Sequence, residues 1–175
     1  MNGVPLIFSE GFNPRPKMNF ALPSAVGVST EEIYMDVEVE EIPISRLLEL
    51  SYLPDGLKVL GAKYTEDEPL MGRVDAAEYE IRGDLEALKE AMKTTDWMIT
   101  KVRKRKTRSI NTKERIRSME FFDDRLLVLL DAGNTSNLRP DDFLKGILGD
   151  SKAIYNYDLT RKRLFDQEMK HLWER

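Results

Sequence analysis

The chain has 175 residues, 41% of them hydrophobic and 33% charged, with a net charge of −4, which suits one or two small globular domains with a real core. It contains no cysteine and one histidine, His171, which excludes disulfides, thiolate zinc sites, cysteine-held iron–sulfur clusters and histidine-based metal centres or triads. No apolar run approaches the roughly 20 residues of a spanning helix, and the N-terminal residues lack the basic and apolar regions of a signal peptide, so cytoplasmic residence is the expectation.

Residues 4–8 read as a short apolar strand. It enters Ser9-Glu10-Gly11-Phe12-Asn13-Pro14-Arg15-Pro16-Lys17, a loop in which Gly11 can take φ > 0 while Pro14 and Pro16 fix their own φ. The residues before each proline, Asn13 and Arg15, are pushed toward extended geometry, so the loop is expected to be stiff. Arg15 and Lys17 then leave one side of an extended segment as a small cationic claw for a phosphate or carboxylate; the plainer reading is a rigid turn with solvated cations. Residues 19–25 carry a proline and suit a sheet edge. Residues 33–41 alternate, with Ile33, Met35, Val37 and Val39 on one side and Tyr34, Asp36, Glu38 and Glu40 on the other, as a half-buried strand does. The acidic row is either a divalent-cation face or the wet side of a sheet.

A short helix is predicted after Pro43, with Ser45 as its cap and Leu47, Leu48 and Leu50 buried. Pro54-Asp55-Gly56 is a turn signal, and residues 57–64 are strand-like. Strands before a helix and a strand after it match the back half of a β-α-β-β-α-β unit. Residues 65–72 read as a connector. A second such unit follows: a strand over 76–82, a helix over 84–95 capped by Asp84 with Leu85, Leu88, Ala91 and Met92 inward, and a returning strand over 97–106. Then come an apolar stretch at 119–122, a turn at Asp123-Asp124, a buried central strand over 126–130 and a turn over 133–137. A helix over 141–148 has Pro140 in its first turn and Gly149 at its end. A last strand over 153–164 precedes a helical or frayed tail, where His171 is expected to be solvated. The fold class is therefore α+β, with two ferredoxin-like units in tandem over residues 1–72 and 73–175.

Charge is unevenly spread. Residues 101–117 carry Lys101, Arg103, Lys104, Arg105, Lys106, Arg108, Lys113, Arg115 and Arg117 against Glu114 alone. Such a run can neutralise phosphates, although a basic hairpin without a ligand fits it equally well. Aromatics interleave poorly with it: Trp97 precedes it, and Phe121-Phe122 follow it, so a base-stacking platform has weak support. No catalytic motif is legible. Metal-dependent phosphodiester chemistry needs converging carboxylates, and Asp36, Glu38, Asp75, Asp131 and Asp141 show no spacing that demands convergence.

The stretch from Phe8 to Ala21, Phe-Ser-Glu-Gly-Phe-Asn-Pro-Arg-Pro-Lys-Met-Asn-Phe-Ala, resembles the signature YSQGFNPHPKISFA of a bacterial domain family of unknown function, the radical-SAM-linked proteins. Val26-Gly27-Val28-Ser29, Tyr34-Met35-Asp36, Val74-Asp75-Ala76-Ala77-Glu78-Tyr79, Leu138-Arg139-Pro140 and Leu159-Thr160-Arg161 follow in the family's order. The resemblance implies a chain that accompanies a radical-SAM protein, in gene neighbourhoods that include an RNase E/G-type ribonuclease and ribosomal proteins. It also implies a strand and helix before the signature, which here would be missing and leave the first unit incomplete and prone to self-association. The expected function is a non-catalytic RNA-binding module with Arg15, Lys17, Lys101, Arg103, Lys104, Arg105, Lys106 and Arg108 as its anion-binding residues, Gly11, Asn13, Pro14 and Pro16 as loop formers, and no cofactor. The alternative is a protein–protein adaptor or substrate-presenting domain for a radical-SAM iron–sulfur enzyme.

Overall fold

A computed structural model of the chain describes residues 4–50, 53–93, 96–103, 106–149 and 152–174. Its elements run β1 (Met18–Phe20), β2 (Val28–Thr30), β3 (Met35–Val37), α1 (Ile44–Leu48), α2 (Leu70–Arg73), β4 (Ala76–Arg82), α3 (Leu85–Met92), β5 (Met98–Arg103), β6 (Lys106–Asn111), β7 (Ile116–Phe121), β8 (Leu126–Asp131), α4 (Pro140–Leu148) and β9 (Asp158–Phe165). The protein is a mixed α+β fold. Among the described residues no helix is long and apolar enough to cross a membrane.

The core lies on one face of a five-stranded sheet with order β2-β9-β4-β8-β7. Ladder register places Ala77 opposite Leu130, Tyr79 opposite Val128 and Ile81 opposite Leu126. These six residues are buried, together with Leu88 of α3 and Phe143, Leu144 and Ile147 of α4. Period-2 alternation in the strands and period-3.6 spacing in the helices point both sets at one interface. Burying each large side chain there is worth about 1.5–3 kcal/mol. Trp97 closes one end, edge-on to Phe143 at 6.4 Å. Local signals agree with this packing: the Asp84 carboxylate accepts from the Ala87 N–H at 2.9 Å, Pro140 opens α4, and Gly149 leaves it at φ 73°.

The first half departs from the expected pattern. β1 pairs antiparallel with β3 as a separate two-stranded sheet, whereas β2 crosses to pair in parallel with β9. Residues 4–8 make only isolated bridges, Leu6 with Val39 and Phe8 with Pro16. Residues 57–64 form no strand. They lack alternation, and Gly61 passes so close to Trp173 that a Cβ there would lie 2.5 Å from the indole. The expected strand over 33–41 shrinks to β3, and its phase is reversed at the start. Ile33 and Met35 are 51% and 42% exposed, while Tyr34 and Asp36 turn inward. Hydrogen bonds make that possible: Asp36 Oδ2 accepts from the Leu70 N–H at 2.7 Å, at the start of α2. Helix α1 has no side-chain cap from Ser45 and buries none of its residues.

The strand expected over 97–106 is the first arm of a hairpin, β5–β6, which forms its own sheet. Residues 152–156 are a 3-10 turn, so β9 starts only at Asp158. The tail after Asp166 is a turn and not a helix, because Asp166 Oδ1 accepts from the N–H groups of Glu168 and Lys170. His171 is not solvated: it bridges back to Phe165 and packs edge-on against Tyr34.

Candidate anion-binding surfaces

The loop after Phe8 is closed by reciprocal bonds. Ser9 N–H donates to the Arg15 carbonyl at 2.8 Å, and Ser9 Oγ accepts from the Arg15 N–H at 3.1 Å. Gly11 has φ 125°, a conformation that L side chains rarely adopt. Asn13 and Pro14 are exposed at the tip, and Pro16 is half-buried. The two cations differ. Lys17 Nζ meets Glu38 Oε2 of the acidic row at 2.9 Å, whereas the exposed Arg15 makes no ion pair among the described residues.

The basic run divides in the same way. Lys101 Nζ lies 2.6 Å from Asp142 Oδ2. Arg115 Nη1 donates to the Asn137 carbonyl at 2.7 Å, and Lys113 sits over the Trp97 ring at 4.8 Å. Arg117 spans Asp75 Oδ2 at 2.6 Å and Asp131 Oδ1 at 2.8 Å. These two carboxylates therefore converge, but on a cation. Ser136 Oγ takes the second Asp131 oxygen at 2.6 Å. The outer hairpin differs: Lys106 and Arg108 are exposed and make no ion pair among the described residues. Lys104 and Arg105 lie outside the described residues, and Arg103 is placed by register alone, opposite Lys106. Among the described residues no cluster of three acidic or histidine side chains has metal-binding geometry.

A cavity of about 260 Å³ opens between the segment 22–28 and the start of α4. Leu22, Pro23, Ala25, Val28 and Pro140 make its apolar wall, and Tyr79, Asn137, Arg139 and Arg161 bring polar groups. A bulge sets this geometry. The β4–β9 ladder pairs Glu78 with Arg163 and then Tyr79 with Arg161, skipping one residue. Arg161 is thereby turned inward at 2% exposure. Its Nη1 donates to the Leu22 carbonyl at 2.6 Å and its Nη2 to the Glu32 carbonyl at 3.3 Å, while Nε has no partner. Burial lowers the pKa of this guanidinium.

Sequence reasoning passed over Arg161 and Tyr79 as site residues, although both fall in quoted motifs. The available signal was an arginine at the inward phase of Leu159-Thr160-Arg161, where an apolar residue belongs. Four of the segments quoted above thus meet around one cavity: Val28, Tyr79, Arg139 with Pro140, and Arg161 line it.

No curated protein and no solved structure matches the chain. A family model does, DUF2344, described as uncharacterised proteins conserved in bacteria, and it covers residues 2–140. Tyr79, Arg139 and Pro140 fall within the matched residues and Arg161 beyond them. With well over half its length matched, this chain belongs to the DUF2344 family.

Proposed function

We propose that the chain is a cytoplasmic, non-catalytic binding module that engages RNA through the β5–β6 hairpin and works beside a radical-SAM protein. One observation carries the RNA reading: the hairpin pairs Lys101 with Arg108 and Arg103 with Lys106. Like charges directly opposite one another destabilise a two-stranded ribbon. Phosphates between them turn that repulsion into attraction and release condensed counterions. Lys101 already has Asp142, so among the described residues the open charge of the hairpin lies on Lys106 and Arg108. Arg15 in the Gly11 loop offers a second anchor. Trp97 is buried, and Phe121 and Phe122 have Lys89 and Arg125 over their faces. Binding through phosphates with weak sequence preference follows from that, not base stacking. The radical-SAM partner rests on the family resemblance alone, carried by the Gly11 loop segment and the shorter motifs that follow it. The division at residue 72, with ferredoxin-like units on either side, belongs to the same reading. For the second unit its support is the order β4-α3-β7-β8-α4-β9, with the β5–β6 hairpin inserted after α3, and β9-β4-β8-β7 in the sheet. The test is a gel shift with labelled RNA at moderate salt. A shift that disappears when Arg103, Lys104, Arg105 and Lys106 become alanine supports the reading, and no shift by the unmodified chain contradicts it.

A different observation favours the adaptor reading. β1 and β3 put Phe20 opposite Met35. Phe8, Met18, Phe20, Ile33 and Met35 of this region are 40–51% exposed. An apolar patch of this kind suits a partner protein or self-association. Capture of a radical-SAM protein, lost on Phe20→Ser with Met35→Ser while RNA binding is unchanged, separates the two readings.

A further inference from the structure

We propose that the cavity beside Arg161 binds a small organic carboxylate, held by the Tyr79 hydroxyl and the Arg139 guanidinium above the buried charge of Arg161. This site is distinct from the hairpin and does not rest on the RNA reading.

The argument starts from an uncompensated charge. Arg161 is 2% exposed, its hydrogen-bond acceptors are two backbone carbonyls, and its Nε has no partner. A buried cation without an anion is held against its desolvation cost. The nearby carboxylates are engaged elsewhere. Glu32 turns its carboxylate to Tyr34 and His171 and offers Arg161 only its carbonyl. Asp141 is taken by Arg139 Nε at 2.9 Å and Nη2 at 3.1 Å, and Lys145 reaches its Oδ2 at 3.3 Å.

Two residues that carry donors line the gap. Tyr79 is 6% exposed, and its hydroxyl makes no hydrogen bond among the described residues. Arg139 spends Nε and Nη2 on Asp141, which leaves Nη1 for the cavity it lines. Asp141 is shared between Arg139 and Lys145, so Arg161, Arg139 and Lys145 stand against one carboxylate and the group is left net positive. An anion answers that charge, and the apolar wall suits an organic carboxylate better than inorganic phosphate, which has no apolar part to place there. The volume of about 260 Å³ holds a ligand of about nine water-sized units. Leu22, Pro23, Val28 and Pro140 favour an apolar body behind the carboxylate.

The experiment is a titration of the full chain followed by side-chain NMR of the Tyr79 ring and the Arg161 Nε–H. The probes are isobutyrate, its neutral isostere isobutyramide, and inorganic phosphate. Isobutyrate is expected to shift both signals saturably at millimolar concentration, and the other two are not. Tyr79→Phe keeps the ring and is expected to weaken isobutyrate about tenfold or more, since a hydrogen bond to a charged group is lost. Lys106→Ala with Arg108→Ala is expected to leave the titration unchanged, so failure of the RNA reading is a separate result. Equal shifts from isobutyrate and isobutyramide, tighter binding of phosphate, or no saturable shift by any probe would overturn the proposal.

Discussion

His171 Nε2 lies 3.0 Å from Tyr34 Oη, joining residues 137 positions apart. Glu32 Oε2 is also 3.0 Å from the same nitrogen, and the Tyr34 hydroxyl donates to that carboxylate. Leu172 beside it is 2% exposed. The tail is thus latched onto the segment that precedes β3. Tyr34→Phe leaves His171 and Glu32 short of a partner and is expected to cost about 1–3 kcal/mol, and His171→Ala a similar amount. Denaturant unfolding measures both. A double variant that costs no more than either single one identifies one coupled latch.

Arg117 is a structural cation, ion-paired on two sides. It reaches Asp75 on the strand-entry segment and Asp131 at the end of β8. Both carboxylates are partly shielded, at 26% and 16% side-chain exposure. Arg117→Met is expected to destabilise the fold by about 2 kcal/mol, within the range for hydrogen bonds to charged groups. RNA affinity, measured where the variant remains folded, should hardly change.

Three phenols report on the folded state at alkaline pH. Burial raises the pKa of Tyr34, reinforced by Glu32, and burial also raises those of Tyr79 and Tyr157. The unfolded chain ionises first, near pH 10. Stability from these groups is therefore intact below about pH 10 and is lost as pH rises through the folded values. Phenolate absorbance should lag behind that of the denatured chain and then rise together with loss of the fold. A single ordinary titration step with the fold intact would contradict this.

Gly146 of α4 makes a test in which propensity and packing disagree. Alanine is favoured over glycine in a helix by about 1 kcal/mol. A Cβ at this position, however, would lie 2.6 Å from Thr112 Oγ1 and 2.9 Å from its Cγ2. Thr112 is fully buried and donates to the Trp97 carbonyl at 3.0 Å, so it has little room to yield. Gly146→Ala is expected to destabilise by about 1–3 kcal/mol, and adding Thr112→Ser should recover part of the loss. Thermal unfolding of the single and the double variant beside the unmodified chain decides the sign.

The parts legible in the sequence were those whose signals are local. Asp84, Pro140 and Gly149 mark helix ends by their own chemistry, and residues 126–130 announce a buried strand by composition. What stayed hidden depends on distant partners. Nothing near Lys101 or Arg117 in the chain says that Asp142, Asp75 and Asp131 will meet them, so a count of charges overstated the open basic surface. The pairing of Tyr79 with Arg161 needs a bulge that shifts register by one residue. The β3 phase was misread because hydrogen bonds let Tyr34 and Asp36 turn inward, leaving Ile33 and Met35 exposed.

The central claim is that the outer hairpin holds phosphates. The most direct measurement is the salt dependence of RNA affinity for the unmodified chain and for Lys106→Ala with Arg108→Ala. Each phosphate contact to a single strand contributes about 0.7 to the slope of log affinity against log salt. The account expects the double variant to bind more weakly at low salt, with a slope smaller by about 1.4. An unchanged slope with a fully folded variant would contradict it.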